Sequence, residues 1–74
     1  MTKFPSLKPR EVEKILLQNG FSLKRQSGSH RIFYNSELNA VVVLPVHSRE
    51  IPTGTLRSIV KQSRLSDDKF LKKR

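Results

Sequence analysis

The chain has 74 residues, no cysteine, and 15 Lys and Arg residues against 6 Asp and Glu, which gives a formal net charge of +9 at pH 7. Such a length predicts one small domain over residues 1–74, and the lack of cysteine excludes a disulfide framework and a thiolate metal site. The longest apolar run, Ala40 to Leu44, is too short to span a membrane, and the N-terminal residues lack the apolar segment of a secretion signal. We therefore expect a cytoplasmic protein that is neither secreted nor membrane-embedded.

The first predicted element is an amphipathic helix from Pro9 to Asn19. Proline suits the first turn of a helix, and Gly20 can adopt the left-handed conformation that ends one. The apolar residues of this segment recur at helical spacing, namely Val12, Ile15 and Leu16.

A hairpin is predicted next. Phe21 to Gln26 alternates between apolar and polar residues, Ser27-Gly28-Ser29 interrupts the pattern, and His30 to Tyr34 is again rich in residues that favour strands. Tyr34 and Ile32 share a face with His30 because side chains alternate along a strand, whereas Phe33 lies on the other face. Both faces carry apolar residues, so the alternation does not decide which one is inside, although Tyr34 is the better candidate for an exposed aromatic.

The second half of the chain predicts one more strand and two helices. Residues 35–39 favour a turn, and the β-branched run Ala40 to Leu44 predicts a strand that Pro45 ends. A helix opens at Thr53-Gly54, and Ser66 can cap a short terminal helix. The order α-β-β-β-α predicts an α+β fold: a three-stranded antiparallel sheet with helices packed on one face, as in the double-stranded RNA-binding domain. The opposite face of the sheet would then be free for a ligand or partner.

The positive charge favours a polyanionic partner such as RNA, although a basic surface can also serve solubility or meet an acidic protein. Residues 14–36 contain four basic side chains and no acid, so this stretch is not neutralised locally. The six acids are scattered without the spacing of metal ligands, and the two histidines are 17 residues apart with no evident third ligand. We therefore expect no catalytic metal and no cofactor.

Two histidines, His30 and His47, are the candidates for acid-base chemistry at neutral pH. His30 follows the Ser-Gly-Ser turn and is flanked by Arg25 and Arg31, a setting in which a phosphate could be held by backbone and charged donors. RNA brings its own nucleophile, the 2′-hydroxyl, so one histidine beside the phosphodiester could suffice. The residues alone favour the simpler interpretation, a histidine at the strand entrance that is hydrogen-bonded to its loop. A loop-tying role is the simpler interpretation of His47.

Four motifs in order along the chain resemble those of the HicA toxin family, over residues 8–71. They are Asn19-Gly20-Phe21, Gly28-Ser29-His30 with Phe33, Pro45-Val46-His47, and Gly54-Thr55-Leu56-Arg57-Ser58-Ile59. The resemblance implies a fold like the double-stranded RNA-binding domain, cleavage of mRNA that halts translation, and a catalytic role for His30. It also implies a HicB-type antitoxin whose N-terminal domain covers the active face. It implies no catalytic role for His47.

The leading hypothesis is therefore a metal-independent endoribonuclease in which His30 transfers the proton. The expected contacts to the RNA backbone are Lys24, Arg25, Gly28, Ser29 and Arg31. One alternative is a non-catalytic RNA-binding module that blocks translation by occupancy. Another is an interaction subunit whose basic surface only meets an acidic protein.

Overall fold

The computed structural model describes residues 4–46 and 49–71 of the chain. The elements in chain order are helix α1 (Pro9–Gln18), strands β1 (Ser22–Ser27), β2 (His30–Asn35) and β3 (Ala40–Pro45), helix α2 (Thr53–Ser63) and the short helix α3 (Asp68–Leu71). The strands form one antiparallel sheet in the order β1-β2-β3. This confirms the predicted α+β class and the α-β-β-β-α order, and it is consistent with the topology of the double-stranded RNA-binding domain.

The hydrophobic core lies between one face of the sheet and the helices. Phe33 of β2 is fully buried, so its face is the inner one, and this settles the question that strand alternation left open. The neighbouring strand and the two longer helices supply most of the remaining buried apolar side chains, namely Val42, Leu44, Val12, Leu16, Leu56, Ile59 and Val60. Because these helices pack on the inner face, the other face of the sheet is left to solvent.

Helix α1 begins at Pro9 and ends before Gly20, the two residues that the sequence marks as its start and stop. The backbone N–H of Lys8 donates to Glu11 Oε1 at 2.8 Å, so an acid in the first turn satisfies a donor just before the helix. At the other end Asn19 is the C-cap, and Gly20 has a φ of 91°, a conformation that favours glycine. The helix therefore ends one residue before the predicted Asn19.

Strand β3 is one residue longer than predicted, because it includes Pro45. The proline pairs with His30 across the sheet. A proline is tolerated here because β3 lies at the edge of the sheet, where a missing N–H need not break a ladder on both sides. None of the helices in residues 4–46 and 49–71 has the length and hydrophobicity of a membrane-spanning segment.

Candidate functional site

The face of the sheet that turns away from the helices carries His30. Along β2, His30, Ile32 and Tyr34 alternate with buried Phe33 and therefore share this outer side. Val41 and Val43 of β3 pair with Tyr34 and Ile32 and remain 46% and 41% exposed. We term this surface the open face. It is formed by His30, Ile32, Tyr34, Val41 and Val43, together with Lys24 and Arg25 of β1.

A β-bulge in β1 brings two consecutive basic side chains to the open face. Leu23 pairs with Phe33 and Arg25 pairs with Ile32, so Lys24 is an extra residue opposite a single position of β2. Lys24 Nζ lies 5.1 Å from the ring centroid of Tyr34, a cation–π contact on the outer side. In a regular strand, neighbours such as Lys24 and Arg25 would project to opposite faces. The bulge instead places both cations on the side of His30.

The turn before His30 is tight and open to solvent. Ser27 pairs with His30, which leaves Gly28 and Ser29 as a two-residue loop, narrower than the predicted three-residue break. Gly28 has a φ of 59°, as expected of glycine at the first position of a type II′ turn. Among residues 4–46 and 49–71, no atom outside Gly28 and its two chain neighbours lies within 4 Å of the place where a Cβ of Gly28 would be. A phosphate can therefore approach the turn closely.

The turn between β1 and β2 is hydrogen-bonded to the segment that follows β3. The backbone N–H of Val46 donates to Ser29 O at 2.7 Å, and His30 lies opposite Pro45. His30 is exposed and has interactions of its own in the structure. His47, the second histidine of the sequence, lies outside the described residues.

Arg31 is the predicted site residue that the fold separates from the others. It follows His30 on β2 and therefore projects to the helix side of the sheet. Arg31 Nη1 donates to Glu13 Oε1 of α1 at 2.6 Å, and the two side chains keep 34% and 23% of their surface exposed. The open face and the adjoining turn thus bring His30 together with Lys24, Arg25, Gly28 and Ser29. Arg31 lies on the opposite face of the sheet.

Three basic residues that the sequence did not single out gather around Arg31. Lys8, Arg10 and Arg49 line the same pocket as Arg31 and Glu13. Lys8 and Arg10 lie at the start of α1, far in sequence from Arg31 and Arg49, and no local motif links them. Only the packing of α1 beside the sheet therefore reveals the cluster. Among residues 4–46 and 49–71 no group of three or more His, Asp or Glu side chains is placed to hold a metal ion.

The open face combines an imidazole, two cations and an accessible turn. The imidazole can carry a proton, the cations can neutralise a phosphate, and a glycine turn lets that phosphate approach the backbone. Such a set of groups fits chemistry on a phosphodiester.

A comparison with known protein families identifies the family of this chain. A family model described as HicA toxin of bacterial toxin-antitoxin matches residues 9–65, which cover the chain from the start of α1 to just beyond the end of α2. A search of the curated proteins finds no match. Since the family model covers well over half of the 74 residues, the chain belongs to the HicA toxin family of bacterial toxin–antitoxin systems.

Proposed function

We propose that the protein is a metal-independent endoribonuclease that cleaves mRNA in the cytoplasm and arrests translation, with His30 as its acid-base catalyst. The observation that carries the proposal is the juxtaposition on the open face of His30, the bulge cations Lys24 and Arg25, and the Gly28 turn. Membership in a toxin family supports an activity that harms the cell. The net charge of +9 supports a polyanionic substrate.

The proposed reaction uses the nucleophile of the RNA itself. His30 accepts the proton of the 2′-hydroxyl as that oxygen bonds to the adjacent phosphorus, and the bond from phosphorus to the 5′-oxygen breaks. A proton from solvent or from the imidazolium completes the 5′-hydroxyl of the leaving strand. The other product ends in a 2′,3′-cyclic phosphate. DNA lacks the 2′-hydroxyl and would therefore not be cleaved.

The remaining residues of the open face bind and position the strand. Lys24 and Arg25 neutralise the phosphates next to the scissile bond, and charge-assisted hydrogen bonds of this kind are roughly twice as strong as neutral ones. Gly28 and Ser29 shape the space beside the phosphate. Tyr34 offers a partly exposed ring on which a base can stack. Arg31 contacts the RNA from the helix side of the sheet.

The antitoxin of this toxin–antitoxin system is proposed to be a HicB-type protein that covers the open face. Val41 and Val43 give this face an exposed apolar strip beside its cations. A partner with an acidic rim and an apolar centre would complement such a surface, and the charges would mainly raise the association rate. Binding there would hide His30 from RNA.

Cleavage of a labelled single-stranded RNA in EDTA tests the proposal directly. The parent is expected to cut the strand and leave 2′,3′-cyclic phosphate ends, whereas His30→Ala should leave it intact. Lys14→Ala is the matched control, since Lys14 is exposed on α1 and lies outside the open face. An oligodeoxynucleotide of the same sequence should resist every variant.

Two results would contradict the proposal. Cleavage by His30→Ala at the parent rate would remove His30 from the reaction. Intact RNA with the folded parent, together with a shifted band on a native gel, would identify the non-catalytic RNA-binding module instead. Circular dichroism of both proteins establishes that they are folded.

A further inference from the structure

A basic pocket lies at the same end of the sheet as His30 but on the helix side. It has a volume of about 420 Å³ and is lined by four cations, Lys8, Arg10, Arg31 and Arg49, and by one carboxylate, Glu13. The lining therefore carries a net excess of three positive charges. So many cations around one concave site repel one another unless an anion neutralises them.

Arg31 connects this basic pocket to the proposed active site. It directly follows His30, so the two Cα atoms are about 3.8 Å apart while their side chains project to opposite faces. At this end of the sheet, the backbone N–H of Val46 donates a hydrogen bond to the carbonyl oxygen of Ser29. Val46 also lines the pocket. An extended RNA strand that passes this end of the β-sheet can thus contact both His30 and the basic pocket.

The hydrogen bonding of Arg31 leaves one of its donors without an acceptor in the described part of the chain. Its Nη1 donates to Glu13, whereas its Nε is buried and has no hydrogen-bond partner among the described residues. A buried guanidinium donor without an acceptor is costly, and a phosphate oxygen is an acceptor that guanidinium groups bind well. Glu13 accepts a hydrogen bond from one side of the Arg31 guanidinium group, which holds the side chain in place. The same carboxylate competes with an incoming anion for Arg31.

We infer that the basic pocket binds a backbone phosphate of the RNA strand, next to the phosphodiester that lies at His30. The strand would bend around the Gly28-Ser29 turn, with Arg10, Arg31 and Arg49 holding the phosphate on the helix side. The inference rests on the proposed function for the identity of the polyanion. It assigns binding, and no catalytic step, to the pocket.

Binding can be measured apart from cleavage. We would titrate a fluorescent single-stranded RNA analogue whose 2′-hydroxyls are methylated, which blocks the proposed reaction, and follow anisotropy at several salt concentrations. Arg10→Gln and Arg49→Gln should each weaken binding by about tenfold. Each should also reduce the slope of log affinity against log salt by about 0.7, the value for one phosphate contact on a single strand.

Lys61→Gln is the matched control for charge loss. Lys61 lies on α2 and lines a second pocket that shares no residue with the basic pocket. Its loss should change affinity much less than the loss of Arg10 or Arg49. If all three variants bind alike, the pocket has no phosphate site and only general electrostatic attraction is at work.

Glu13→Gln gives a test with the opposite sign. Removing this carboxylate frees Arg31 and raises the excess positive charge of the pocket from three to four, so the analogue should bind about three to ten times more tightly. Glu37→Gln, an exposed change in the turn between β2 and β3, controls for the general gain in positive charge. Weaker or unchanged binding by folded Glu13→Gln would overturn the inference.

Two further outcomes separate this inference from the proposed function. Loss of analogue binding in Arg10→Gln and Arg49→Gln would support the pocket even if the parent failed to cut unmodified RNA, and that failure would then count against catalysis alone. If these variants lost affinity for an acidic antitoxin but kept affinity for the analogue, the pocket would belong to a protein partner and the phosphate site would be rejected.

Discussion

The side-chain amide of Asn35 links the end of β2 to the end of α1, because its Nδ2 donates to the carbonyl oxygen of Asn19 at 3.0 Å. Its Oδ1 accepts the backbone N–H of Leu38, also at 3.0 Å, and the residue is only 2% exposed. One side chain thus satisfies a helix C-terminus and a turn at once. It fixes α1 against the sheet, and α1 in turn supplies Glu13 to Arg31.

We expect Asn35→Ala to lower the free energy of unfolding by about 1–3 kcal/mol, because it leaves a carbonyl and an N–H without partners in part-buried positions. Urea denaturation followed by circular dichroism would measure the loss. Ser36→Ala, an exposed change next in the chain, should stay within about 0.5 kcal/mol of the parent. Equal stability of the two variants would show that water replaces both hydrogen bonds of Asn35.

The same substitution at two glycines should have opposite effects on stability. Gly28 has a φ of 59°, so Gly28→Ala strains the turn and should cost about 1–2 kcal/mol. Gly54 lies in the first turn of α2, and beyond the local helix backbone no atom of the described residues lies within 4 Å of a new Cβ. Gly54→Ala should therefore stabilise the protein by about 0.5–1 kcal/mol. Thermal unfolding of both variants checks the signs. A stabilising Gly28→Ala would contradict the turn geometry.

Substitution of two neighbouring valines of β3 should affect different properties, the stability of the fold at Val42 and the binding of the partner at Val43. Val42 is fully buried, so Val42→Ala should cost about 2 kcal/mol of unfolding free energy. Val43 is 41% exposed on the open face, so Val43→Ala should cost much less. If the antitoxin covers this face as proposed, Val43→Ala should weaken the complex in calorimetry. Unchanged affinity would place the antitoxin on another surface.

Lys24 should matter for cleavage and little for folding. Its cation–π contact with Tyr34 is worth only about 0.5–1 kcal/mol at an exposed site, so Lys24→Gln should leave thermal unfolding nearly unchanged. Loss of a phosphate contact should lower kcat/KM for RNA cleavage by about tenfold. Lys14→Gln on α1 is the control with the same change in charge. Equal rates for the two variants would remove Lys24 from the substrate site.

The order of elements was predictable because each element carries its own local signals. These signals are the proline at the start of α1, Gly20 just beyond its C-cap, and the β-branched run from Ala40, and they depend on backbone preferences of short segments. The inner face of β2 was not predictable, because Ile32 and Phe33 are both apolar and only packing against the helices buries one of them. The bulge at Lys24 depends in the same way on pairing with a second strand.

The sequence by itself determined the charge, the order of helices and strands, the glycine turn before His30, and the motifs that resemble those of the HicA family. These properties are local or summed over the chain, so they need no knowledge of which segments meet. Only the tertiary structure decided that Lys24 and Arg25 share the open face with His30, and that Arg31 turns away to meet Glu13, 18 residues earlier. The physical reason is that strand pairing and helix packing choose the direction of each side chain, and both depend on contacts between distant residues.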